Sequence, residues 1–219
     1  STRPAGPVAE WLAHGHVDQI RFESGFRPLN PEMRGLWNSL RNNNTVAAQH
    51  WRHDDGPRPT LCVIHGFMGS PYLFNGLFFS LPWFYRSGFD VLLYTLPFHG
   101  RRAMRGSPFS GYGFFQFGMA GFAEAMAQSI HDFRSTMDYL ESTGVDRIAL
   151  TGMSLGGYTS SLIASVDDRL QAVVSSCGFC RLHKDDVPSW TGPRYMPRIA
   201  TVYGNSADQV PFDFPELLA

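Results

Sequence analysis

Apolar positions along the chain fall into short runs and one long periodic stripe. Thr60-Leu61-Cys62-Val63-Ile64, Asp90-Val91-Leu92-Leu93-Tyr94-Thr95-Leu96 and Arg147-Ile148-Ala149-Leu150-Thr151-Gly152 are short runs rich in β-forming residues. Runs of this kind suit parallel strands buried on both faces. Gln171 to Ser176 reads as a fourth. Met119, Phe122, Met126, Ile130, Phe133, Met137 and Leu140 are spaced by 3, 4, 4, 3, 4 and 3, one stripe at helical period. Gly144 follows it as a helix-ending signal. Tyr72 to Tyr85 reads as helical, bent or split at Pro82, and Ser154 to Ser165 as a further helix. Residues 1–59 are irregular apart from two strand candidates, His16 to Phe22 and Val46 to Arg52, with an Asn42-Asn43-Asn44 turn before the second. From Cys177 onward the pattern is loop-like, with a short helix near Phe214 to Ala219.

Strands alternating with helices make an α/β fold, a mostly parallel sheet with helices on both faces. In such a sheet ligands sit beyond the carboxyl ends of the strands. The loops after Ile64, Leu96, Gly152 and Ser176 all belong to that edge. A length of 219 residues fits one domain. Residues 1–45 read as an N-terminal extension and residues 46–219 as the core.

Composition narrows the function. Lys plus Arg is 18 and Asp plus Glu 19, so the long-range attraction of a nucleic-acid binder is missing. The longest apolar run, Tyr72 to Tyr85, is broken by Asn75, Gly76, Ser80 and Pro82 and is too short to span a bilayer. The N-terminus shows no apolar signal-peptide region. Three widely spread cysteines make no disulfide framework and fit a reducing, cytoplasmic setting. Eighteen phenylalanines must bury much ring surface or present it to an apolar ligand.

Two motifs carry chemistry. Gly152-Met153-Ser154-Leu155-Gly156 is a G-x-S-x-G pattern between a buried strand and a helix, the context that this nucleophile turn requires. The glycines flank a tight turn where a Cβ would clash, and the helix that follows aims amide N–H groups at a developing oxyanion. The alternative is a plain serine N-cap. His65-Gly66-Phe67-Met68-Gly69, after the earlier strand, is able to aim a further backbone N–H at the same point; the alternative is an ordinary turn with His65 packed inside.

With these residues the sequence resembles the α/β-hydrolase superfamily. Tyr94 to Arg102 and Phe109 to Phe115 look most like bacterial acyl-ester hydrolases, with dienelactone-hydrolase-like and acetyl-xylan-esterase-like enzymes as more distant relatives. The resemblance implies Ser154 as nucleophile and the Phe67 and Leu155 amides as oxyanion hole. It implies cleavage of a carboxylic ester through an acyl-enzyme, with a small-molecule ester as substrate and no cofactor. In the superfamily an Asp or Glu and then a His follow the serine. Here only 65 residues follow Ser154, with one recognisable strand and one histidine, His183. The acid candidates are Asp185, Asp186, Asp208 and Asp213. Three explanations stand: a fragment lacking the C-terminal part, a rearranged site with His183 as base, or a non-catalytic domain that binds an apolar ligand or a protein partner. A truncated sheet also exposes an edge strand, which favours homo-oligomer pairing.

Other features carry less. Cys177-Gly178-Phe179-Cys180 with His183 has no obvious fourth metal ligand and a poor helix signal for redox work, so no metal site is expected. Cys62 reads as a small core residue. His99-Gly100-Arg101-Arg102 with Arg105 forms a basic loop, either solvated or paired locally, or aimed at a substrate anion. The Phe-rich stretches Phe74 to Phe84 and Phe109 to Phe117 read as core packing, with an acyl pocket or a lipid-facing entrance as the alternative.

Overall fold

A computed structural model describes residues 15–69 and 71–176, together with the backbone of residues 198–201. Seven strands form one sheet: β1 (Gly15–Glu23), β2 (Thr45–His53), β3 (Thr60–Ile64), β4 (Asp90–Tyr94), β5 (Ile148–Met153), β6 (Leu170–Ser176) and β7 (Arg198–Thr201). Their order is β1-β2-β4-β3-β5-β6-β7. β2 runs antiparallel to β1 and β4, and every other pairing is parallel. The described helices are α1 (Arg34–Ser39), α2 (Tyr72–Phe78), α3 (Leu81–Arg86), α4 (Tyr112–Gln116), α5 (Gly118–Ser142) and α6 (Leu155–Val166).

All five residues of β3 and all five of β4 are buried, because helices cover both faces. Alternate residues point to opposite sides. Cys62, Ile64, Leu92 and Tyr94 pack against Phe133, Met137 and Leu140 of α5 and Ile163 and Ala164 of α6. Leu61, Val63, Val91 and Leu93 pack on the other face against Leu81 and Tyr85 of α3, with Tyr72 and Phe79 beside them. Pro82 stands in the first turn of α3, where its missing N–H is harmless, and so splits the expected helix in two. A third cluster, Trp37, Phe98, Phe114, Ala125 and Met126, packs with Leu155, Tyr158 and Leu162 of α6.

The part of the periodic stripe from Ile130 to Leu140 packs on the sheet, whereas Phe122 and Met126 join the Trp37 cluster and Met119 is 79% exposed in the first turn of α5. The same helix carries a buried polar series at four-residue spacing. Glu124 accepts from the N–H groups of Leu29 and Asn30. Gln128 accepts from Trp37 Nε1 and Asn43 Nδ2. Asp132 accepts from Ser24 Oγ at 2.6 Å and from Arg102 Nη2 at 2.6 Å. The segment before residue 46 is therefore tied to α5 and supplies strand β1 to the same sheet.

Two regions read as loop differ. The stretch after β4 contains a 3-10 turn, Gly100–Arg102, and the short helix α4. β7 lies in the region expected to be loop-like, with Ala172 opposite Arg198 and Ser175 opposite Thr201. Four residues are too few to show a period, so this strand is defined by its pairing. The C-x-x-C cysteines and the helix expected near Phe214 lie outside the described residues.

Arg102 settles the reading of the basic loop. Its guanidinium is fully buried, paired with Asp132 and hydrogen-bonded to the Asn43 carbonyl, Tyr94 Oη and the Thr95 carbonyl. Arg101 and Arg105 are exposed. Removing one partner of a buried ion pair leaves an uncompensated charge, at a cost of about 3–5 kcal/mol. Asp132→Ala is expected to lose that much stability, read as a lower denaturant midpoint with the slope unchanged; a midpoint like the wild type's would refute the role assigned to the pair.

Candidate functional site

Strand β3 feeds β4 on one side of the sheet, whereas β5 feeds β6 on the other. The loops after β3 and β5 therefore diverge and leave a crevice at the carboxyl ends of the strands, where open parallel sheets bind ligands. Ile64 and Gly152 are register partners, so both motif loops start side by side at this crevice.

Ser154 occupies the turn between β5 and α6 with φ 53° and ψ −117°. A non-glycine residue in such a sparsely populated region costs about 1–3 kcal/mol and persists only where its surroundings impose it. They do so here. The Ser154 N–H donates to the Ser176 carbonyl at the end of β6 (2.6 Å), and the Ser154 carbonyl accepts the first helical bond from Tyr158 (2.9 Å). A Cβ on Gly152 would overlap the Gly156 carbonyl, and a Cβ on Gly156 would overlap the Ile64 carbonyl and crowd that of His65. The glycine spacing of the motif thus lets helix α6 begin directly over the end of β3.

The β3 loop completes this arrangement. A Cβ on Gly66 would lie 3.5 Å from Ser154 Cβ, so the Gly66–Phe67 backbone passes beside the serine. The structure thus brings together Ser154, Leu155 and Phe67. Among the described residues the Phe67 and Leu155 amides donate to no protein carbonyl outside a regular element, and Ser154 Oγ makes no hydrogen bond. His183 and the four candidate aspartates lie outside the described residues, so their relation to Ser154 is an expectation from the sequence. The described residues contain no group of His, Cys, Asp or Glu that could hold a metal ion. They contain no helix long and apolar enough to cross a membrane.

Two buried histidines brace the loops. Leu96 N–H donates to His65 Nε2 (3.2 Å). The proton then sits on Nδ1, which donates to the Gly66 carbonyl (2.8 Å). His65 is thus a neutral strut between the ends of β3 and β4, with both ring nitrogens occupied. The packed reading of His65 is correct, and the same packing shapes the loop that presents Phe67. His99 Nδ1 donates to the Pro97 carbonyl (2.8 Å), while Nε2 is buried without a partner among the described residues. Its ring lies 4.9 Å from that of His65 and 5.9 Å from that of Phe67. Burial pushes His65 down to about 4 and His99 down to about 3, the latter also opposed by neighbouring His65. The buried Cys62 thiol is pushed up by desolvation and is inert core. Sequence reasoning missed this bracing, and the signal available was the recurrence of histidine after β3 and in the loop after β4.

Beside the loop lies an open cleft of about 680 Å³, lined by Gly66, Phe67, Met68, Phe74, Leu77, Phe78 and Met153 among others.

Gly156→Ala is expected to lose at least about 2 kcal/mol of stability, because backbone carbonyls cannot yield to the methyl group; calorimetry showing an unshifted melting temperature would contradict the close approach. In the unfolded chain His65 and His99 titrate near 6.5, whereas folded they stay neutral to about 4 and about 3. Between those values the unfolded chain binds the extra protons, so stability falls as pH drops below 6.5. Each imidazole contributes about 1.4 kcal/mol per pH unit. Replacing His65 by Gln should flatten the acid limb of stability against pH by that amount; an unchanged slope between pH 6 and 4.5 would show that His65 protonates freely.

A family model described as alpha/beta hydrolase fold matches residues 59–214. Two uncharacterized proteins of Mycobacterium tuberculosis, from strains H37Rv and CDC 1551, are each 32% identical over 162 residues, which are 71% of this chain and 38% of the relative. The chain thus spans well under half the length of these curated relatives. A cold-adapted esterase from an Arctic intertidal metagenomic library superposes with a TM-score of 0.50 at 16% identity, covering 73% of this chain and 59% of that one. A hypothetical protein of Pseudomonas aeruginosa gives 0.50 at 17%, covering 75% and 43%. At such identities the likeness is one of fold alone. Strand order, the strained serine turn and a family match over more than half the sequence agree: the chain belongs to the α/β-hydrolase fold family.

Proposed function

We propose that this protein is a serine hydrolase that cleaves a carboxylic ester through an acyl-enzyme intermediate. The observation that carries this reading is the backbone of Ser154, a non-glycine residue held at φ 53° where β5 turns into α6. That strain has no use in packing, since a glycine would relieve it, but it lifts the hydroxyl out of the turn at the sheet's ligand-binding edge.

In this mechanism Ser154 Oγ attacks the acyl carbonyl. The Phe67 and Leu155 amides receive the oxyanion, and the start of α6 adds its positive dipole end. A base takes the serine proton and passes it to the leaving alcohol. Water then repeats the cycle and releases the acid. The carbon skeleton changes by acyl transfer alone, so the reaction draws on no cofactor. His183 is the candidate base from the sequence. His65 is unsuited to that task because both ring nitrogens are engaged.

Ser154→Ala is expected to lower turnover of p-nitrophenyl butyrate by at least about 1,000-fold while leaving the protein folded. A loss of similar size in His183→Ala would assign the base. Turnover retained in Ser154→Ala, with a native circular-dichroism spectrum, would sink the proposal and leave the fold a ligand-binding role.

A further inference from the structure

Two stretches of the sequence, residues 66–85 and 106–122, contain no Asp, Glu, Lys, Arg or His. Among the described residues eleven large hydrophobic side chains are exposed, and nine of them fall in these two stretches. Phe74 is 68% exposed, Phe78 63% and Leu77 57%. The stretches meet at Phe67, whose ring lies 5.0 Å from that of Phe115 and 6.1 Å from that of Phe109. Exposed apolar surface gathered in one place marks a binding site. Scattered single residues would carry no such meaning.

The cleft of about 680 Å³ lies within this surface, in the size range of small-molecule sites. Phe67, Met68, Phe74, Leu77, Phe78 and Met153 line it. It adjoins the serine turn, for it is lined by Gly66, whose backbone passes beside Ser154, and by Met153, which precedes the serine in the chain. Unbranched methionine side chains adapt to ligands of varied shape.

Resting on the serine-hydrolase reading, we propose that the ester carries a long apolar acyl chain, and that this chain lies in the cleft between Phe67 and helix α2. The acyl arm is the occupant because of the order of steps. After acylation the alcohol departs and water must enter where it lay. The alcohol's side of the site therefore has to admit water. The acyl arm stays bound through both half-reactions, and an uncharged apolar cleft holds it without hindering that exchange.

The test is the rate at which ethyl- and octyl-phosphonofluoridates label Ser154, followed by intact mass and peptide mapping. Full burial is worth about fourfold per methylene, and an open cleft about half of that factor. Six added methylenes then make the octyl reagent roughly 50-fold faster. The triple variant Phe74→Ser, Leu77→Ser, Phe78→Ser should bring the octyl-to-ethyl ratio below about fivefold, with native melting because these side chains are exposed. Met119→Ser, exposed but outside the cleft lining, should keep the wild-type ratio. Equal rates for the two reagents on wild type, or a ratio preserved in the triple variant, would overturn the acyl-cleft assignment while leaving the nucleophile intact. Labelling by neither reagent would instead overturn the serine-hydrolase reading, and this assignment with it.

Discussion

The ion pair between Arg102 and Asp132 sits at 0% exposure, in a place where neither charge survives alone. Taking such groups out of water costs several kcal/mol per ion, so each must be fully hydrogen-bonded. That demand organises the molecule. Arg102 reaches the Asn43 carbonyl, Tyr94 Oη and the Thr95 carbonyl, and Asp132 reaches Ser24. One buried network thereby ties together the segment before β2, the end of β4, the loop after it and helix α5. Phe98 and His99 stand just ahead of Arg102 in that loop, and their position follows from it. His99 in turn packs against His65 and Phe67.

The candidate site inherits this rigidity from a second constraint, the close approach of α6 to the end of β3. Glycine at 156 lets the helix start against two backbone carbonyls. The turn before it has no slack, and Ser154 takes the strained backbone that remains. Small and hydroxyl-bearing residues keep α6 close along its length. Ser160 and Ser161 satisfy their hydroxyls on the helix's own carbonyls, and Ser175 of β6 donates to Gly157. A serine held this way is fixed before any substrate arrives, which is the preorganisation that the proposed acyl transfer would draw on.

The polar face of α5 explains why part of the fold escaped a reading by hydrophobic pattern. Glu124, Gln128 and Asp132 look like a solvated helix face, four residues apart on the side away from the apolar stripe. Apart from Arg102 on Asp132, their partners are backbone amides and side chains of residues 24–44, which have little pattern of their own. A series of uncharged and acidic residues at helical spacing is equally consistent with water or with a docked segment. Arg102 was ambiguous for the same reason, since charge alone does not say whether a side chain meets solvent, substrate or a buried carboxylate. Phe74 and Phe78 err in the other direction: core packing is the usual fate of phenylalanine, yet α2 turns these two outward.

What the sequence determined alone was local and periodic. Fully buried strands announce themselves as continuous β-forming runs, α5 as a stripe of seven residues, and the serine turn as glycines at fixed offsets, because each of these rests on the geometry of neighbouring residues. The tertiary structure decided whatever depends on residues distant in the chain. It set the order of the seven strands, the pairing of β7, the burial of Arg102 against Asp132, the neutral bracing by His65 and the outward placing of the phenylalanines around the cleft. These features arise from desolvation and close packing between segments, whose energies exist only once the segments have met.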